Sequence, residues 1–209
     1  MPKHKQVMVQ VHRPGRLAEA AIQPVFVGLA KALIALPEGT VVDQCPTTGV
    51  GMALARALHS NEKFGHLTRT VRVLVSPAEH TRQWQSPEEQ TAFRVLSADA
   101  HNTEVIPAIR KADNTVDGVA VGRACRDLQL ESCSDLLLGW DTDVRTGSTI
   151  TTLRMALARG LAVTHVGADG SISKRMTPAQ AIAWAAQLGV DPWREAKRSE
   201  EYDSLLDLV

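Results

Sequence analysis

Aromatic side chains are scarce in this chain. Three phenylalanines, four tryptophans and one tyrosine make up 4% of its 209 residues. Charge of one sign is missing too, since 23 lysines and arginines balance 23 aspartates and glutamates. Single-stranded nucleic acid is held in a basic groove with aromatic stacking platforms. Neither ingredient is here in bulk, so nucleic acid is not the expected partner. Cysteine is limited to Cys45, Cys125 and Cys133, an odd number without a CxxC pair. That excludes a disulfide framework or a four-cysteine zinc site and fits reduced thiols in a cytosol. His59, His66 and His80 stand at no ligand-like spacing, so no metal site and no cofactor are expected. The longest apolar stretch, Ile22 to Leu36, is broken by Pro24 and Lys31 and is too short to span a bilayer. Residues 1–6 run into a strand-like segment without a signal-peptide pattern. The expectation is a cytoplasmic protein with no membrane partner.

What is present is a regular alternation of short β-branched runs and amphipathic stretches. Strands are predicted at Val7–Val11, Thr40–Val42, Thr70–Val75, Asn102–Ile106, Leu136–Trp140 and Leu161–Val166. The apolar run of the third predicts burial on both faces, and that of the fifth makes it the clearest buried strand. Helices are predicted at Pro24–Leu36, Gly49–His59, Pro87–Ala98, Val116–Cys133 and Ser148–Arg159. Such an order predicts the α/β class, a Rossmann-like three-layer sandwich around a mainly parallel sheet. Residues 1–170 are expected to form this Rossmann-like domain, and residues 171–209 an all-helical appendix packed on it. Thr177-Pro178-Ala179-Gln180 is a capping box that opens one appendix helix, and a last helix is expected from Asp191 to near Leu206. Leu205, Leu206, Leu208 and Val209 would cover either the chain's own sheet or a second subunit, which leaves a homo-oligomer open.

In an open parallel sheet, ligands bind beyond the carboxyl ends of the strands, so chemistry is sought in the loops after strands. After the first strand, His12 can donate or accept and Arg13 can fork onto phosphate oxygens; the bland alternative is a solvated turn at Pro14-Gly15. After the second, Thr48, Gly49 and Gly51 open a helix whose free amides and dipole suit an anion; otherwise the glycines only permit a tight turn. After the fifth, Trp140 and Asp141 lead through Arg145 to Gly147, Ser148 and Thr149. Here too the helix start offers backbone donors and hydroxyls to a phosphate, unless Ser148 is simply a cap. Asp141 is placed to take a ribose hydroxyl or a cation. Trp84 is expected to pack a loop onto the sheet rather than to stack on a base.

In order, these turns resemble the SLOG superfamily of Rossmann-like proteins, in particular its bacterial YspA/YpsA-type branch and the Rossmann core of DNA-processing protein A. The likeness rests on Val11-His12-Arg13-Pro14, Thr48-Gly49-Val50-Gly51, and Pro77, Trp84 and Ala98-Asp99. It continues through Arg126-Asp127, eight residues before Ser134-Asp135, to Trp140-Asp141, Gly147-Ser148-Thr149 and Ala162–Val166. The resemblance implies a nucleotide or nucleotide-derived ligand cradled by the two glycine turns, with Arg126 facing it. In the family's LOG phosphoribohydrolases a glutamate follows the second turn by three residues, where this chain has Thr151. Asp127 replaces an asparagine, and Val11 a glycine. The expected function is therefore binding or sensing of a nucleotide-like small molecule. The alternative is a hydrolase of its N-glycosidic bond, with Asp141 and Arg126 as candidate catalytic residues and Asp43 or Glu89 as further carboxylates. A second alternative is single-stranded DNA binding in the manner of DNA-processing protein A.

Overall fold

A computed structural model describes residues 5–12, 15–74, 76–82, 84–99 and 102–193. Six strands, β1 (Gln6–Val11), β2 (Val41–Gln44), β3 (Thr68–Leu74), β4 (Thr103–Ile106), β5 (Asp135–Gly139) and β6 (Ala162–Val166), form one sheet. All its pairings are parallel, in the order β4-β3-β2-β1-β5-β6. The helices are α1 (Glu19–Ile34), α2 (Val50–Ser60), α3 (Pro77–His80), α4 (Pro87–Ser97), α5 (Gly118–Ser132), α6 (Ser148–Ala158) and α7 (Pro178–Gln187). This is the expected α/β class, a Rossmann-like three-layer sandwich.

The layers follow from the side-chain alternation of the strands. Every residue of β5 is buried. Leu137 packs with Val25 and Leu29 of α1 and Leu54 of α2, whereas Leu136 and Leu138 pack with Ile150 and Leu153 of α6 and Ala181 of α7. An unbroken apolar strand is what a sheet covered on both faces requires. β3 departs from that pattern. Val71 is buried, but its neighbour Arg72 is buried as well, and it is charged. Its guanidinium forks onto the carboxylate of Asp43 on β2, with Nη2 2.7 Å from Oδ2 and Nε 3.0 Å from Oδ1. Gln129 of α5 donates to the same carboxylate at 2.8 Å, and Glu104 of β4 takes the other arm of Arg72 at 2.5 Å.

Two boundaries differ from expectation for physical reasons. α1 begins at Glu19, and Pro24 lies inside it instead of opening it. The buried series Leu17, Ala21, Val25, Leu29 and Leu33 repeats every four residues, and burying that stripe outweighs the hydrogen bond lost at proline. The appendix is not wholly helical. After β6 the chain turns back, and Ile172 and Met176 bridge antiparallel to Val166 and Val163 before α7 starts at its capping box. Residues 191–193 form a turn, and the last expected helix beyond them lies outside the described residues.

Candidate functional site

The strand order reverses between β1 and β5. From β1 the chain winds outward through β2, β3 and β4, then returns on the other side of β1 with β5 and β6. In a doubly wound sheet the crevice at the carboxyl ends of such a strand pair is where ligands sit. Its walls are the loop after β1 and the loop after β5, the latter entering α6.

Gly147 is the N-cap of α6, at φ 101° and ψ 179°, a backbone that residues with a side chain rarely adopt. Gly147 itself has no side chain with which to cap the helix. Ser148, expected as an alternative cap, is the first helical residue, and its carbonyl accepts from the Thr152 hydroxyl at 2.9 Å. The first-turn amides and the positive end of the dipole therefore face the crevice. Across from them stands Arg16, which donates from Nη1 to Thr146 Oγ1 at 2.8 Å. Its guanidinium carbon lies 3.9 Å from where a Gly147 Cβ would be. A cation held against the positive end of a helix is unfavourable by itself. An anion between the two relieves that repulsion and satisfies both.

His12 follows β1 directly and is 2% exposed. Among the described residues its Nε2 has no hydrogen-bond partner. Burial lowers the affinity of the ring for a proton, more than the Asp141 carbonyl and carboxylate raise it, and the charge of Arg16 lowers it further. The imidazole is thus uncharged near neutral pH. Asp141 is half-buried and accepts from the Asp143 amide at 3.0 Å, which turns the loop after β5.

Other residues expected at the site are placed elsewhere or are already engaged. Arg13 lies outside the described residues. Trp140 is fully buried; its ring packs edge-on to Trp184 of α7 at 5.7 Å, and Nε1 donates to the Val144 carbonyl at 2.9 Å. It is a core residue and offers no face to a sugar or base. Thr149 is buried in the first turn of α6. Arg126 is half-buried on α5, with Nη1 3.9 Å from where a Gly122 Cβ would be. The side chain thus runs back along the helix toward the carboxyl edge of the sheet. One turn further on, Leu130 packs into the α6 cluster, so Arg126 lies on the α6 side of α5.

The second glycine turn differs most from expectation. The amide of Gly49, read as a phosphate donor, donates to Glu89 Oε1 of α4 at 2.8 Å. Thr48 and Gly51 flank it, and beneath the turn is a cavity of only about 20 Å³ lined by Gln10, Gln44, Cys45, Thr47 and Gly51. That volume holds about one water. The anion at the start of α2 is the protein's own carboxylate. Asp43, bound to Arg72 and Gln129, and Glu89, bound to Gly49, are both committed to structure. Of the carboxylates considered for catalysis, Asp141 alone borders the crevice. Trp84 packs as expected, edge-on to Phe93 at 5.3 Å.

The sequence did not single out Arg16. Its signal was there in principle, since an arginine five residues past the end of β1 must fall near the loop after whichever strand pairs with β1. That partner becomes known only with the topology. Among the described residues no helix is long and apolar enough to cross a membrane, and no three histidine, cysteine or acidic side chains cluster as metal ligands. No protein-family model matches the chain, and no curated protein and no solved structure matches it at a significant level.

Proposed function

We propose that this protein binds a phosphate-bearing, nucleotide-like small molecule in the crevice between β1 and β5. The phosphate sits on the first turn of α6, against Arg16. The observation that carries this reading is the approach of the Arg16 guanidinium to a helix start at Gly147, a residue with no capping side chain of its own, two sources of positive potential aimed at one place. The resemblance of the turns to the SLOG superfamily supports the same class of ligand. A cytoplasmic setting, where nucleotides are abundant and thiols stay reduced, goes with it.

Calorimetric titration with inorganic phosphate, pyrophosphate and the four ribonucleoside 5′-monophosphates tests the proposal. Replacing Arg16 by alanine removes a charge-assisted contact and is expected to weaken binding about tenfold or more. The variant should keep its stability within about 0.5 kcal/mol, because Arg16 is exposed. Unchanged affinity in Arg16→Ala would place the phosphate elsewhere.

A further inference from the structure

The loop from Trp140 to Gly147 is held from behind by α7. Arg145 donates from Nη1 to the carbonyl of Leu188, the C-cap of that helix. The last carbonyls of a helix lack intrahelical partners, and a cation beside them also meets the negative end of the dipole. A second tie lies one turn back. Trp184 of α7 packs edge-on to Trp140 at 5.7 Å, and the Trp140 indole donates across the loop to the Val144 carbonyl at 2.9 Å. The loop thus leans on the closing turn of α7 at two points.

Arg16 leads into α1 on one face of the sheet, and α7 lies on the other. Neighbouring residues of the loop are therefore drawn to opposite sides. Arg145 reaches out to α7, Thr146 accepts from Arg16 at 2.8 Å, and Gly147 opens α6. Resting on the reading that the crevice holds a phosphate, we propose that Arg145 is a positioning residue for it. By capping α7, Arg145 fixes the turn at Gly147 in the shape that presents the first amides of α6 to the anion. A turn ordered beforehand binds more tightly than one that must be ordered on binding. The helix that follows the sheet then belongs to the binding device without touching the ligand.

The test is calorimetric titration of inorganic phosphate into wild type, Arg145→Ala, Arg145→Lys and Arg16→Ala at low and at high ionic strength. Arg145→Ala should weaken binding about fivefold or more. Arg145→Lys, which can also donate to the Leu188 carbonyl, should restore affinity to within about twofold of wild type. Because the anion meets Arg16 and not Arg145, the salt dependence of affinity should fall in Arg16→Ala and be kept in Arg145→Ala. Hydrogen exchange of amides 143–148 should speed up in Arg145→Ala while those of β5 stay protected. Unchanged affinity in Arg145→Ala overturns the assignment even if its Tm falls, since a merely structural cap would do no more than that. Weaker binding with a reduced salt dependence places Arg145 on the anion itself and overturns it as well. In both cases wild type still binds phosphate, and the reading beneath the assignment stands. Failure of wild type to bind phosphate overturns that reading and the assignment with it. Arg145 is exposed, so its replacement leaves the core intact and the comparison interpretable.

Discussion

The carboxylate of Glu89, in the first turn of α4, accepts the main-chain hydrogen of Gly49 at the start of α2, forty residues away in sequence. One helix supplies the anion that the next helix needs. The arrangement ties α2 to α4 on one face of the sheet and closes the helix start that, on sequence alone, looked most like a second phosphate site.

Removing that carboxylate should therefore act on stability and not on ligand affinity. Glu89→Ala leaves the Gly49 amide without its partner and is expected to cost about 1 kcal/mol, a fall in Tm of about 2–4 °C for a domain of this size. Binding of phosphate at α6 should not change. A thermal melt beside a titration checks both, and a large loss of affinity at unchanged Tm would restore the turn at Gly49 to the site.

The buried pair of Asp43 and Arg72 offers a sharper test. Truncating one partner strands the other charge in the core, so Arg72→Met is expected to cost about 3–5 kcal/mol in urea unfolding. Replacing both, as Asp43→Leu with Arg72→Met, should recover most of the loss, because packing apolar groups there avoids the desolvation. A double variant as unstable as the single one would show that Gln129 and Glu104 depend on the pair for their own satisfaction.

Acid should destabilise the fold before its carboxylates titrate. Burial lowers the proton affinity of His165, outweighing the Trp140 carbonyl and Asp169, which raise it. The unfolded chain therefore binds a proton near pH 6.5 that the folded chain still refuses, and stability falls as pH drops through that region. His12 adds to the loss in the same direction. His165→Gln should flatten the slope below about pH 6.5 in denaturant titrations at several pH values. An equally steep slope in the variant would exclude His165 as its source.

Burial pushes the Cys133 thiol up to about 12, helped by the negative charge of Asp43. A thiol held protonated is a poor nucleophile. At about pH 8 iodoacetamide should modify the half-buried Cys45 first and reach Cys133 only after unfolding, as peptide mass spectrometry would show. Equal labelling rates in the native protein would contradict the buried placement.

What the sequence revealed depended on how local each signal was. β5 and the Thr177–Gln180 capping box are written in a few adjacent residues, and both stand where expected. The start of α1 was misjudged because a proline is a strong local mark, while the stripe from Leu17 to Leu33 that overrode it counts only once a sheet lies beneath. At the site, the open turn into α6 was legible in Gly147. Gly49 was not, since a glycine before a helix looks the same whether its anion is a ligand or a glutamate from another helix. Trp140 misled for a similar reason. An aromatic at a strand end borders the crevice unless a later helix covers it, and here Trp184 of α7 does so.

The return of the chain along β6 has a consequence for how the sheet can associate. Ile172 and Met176 occupy the outer margin of β6, whereas β4, with Val105 half exposed, is the margin left open among the described residues. Endless edge-to-edge stacking requires two free margins per copy. With one of them blocked by its own polypeptide, strand pairing through β4 consumes the free margin of both participants, and accretion stops at two.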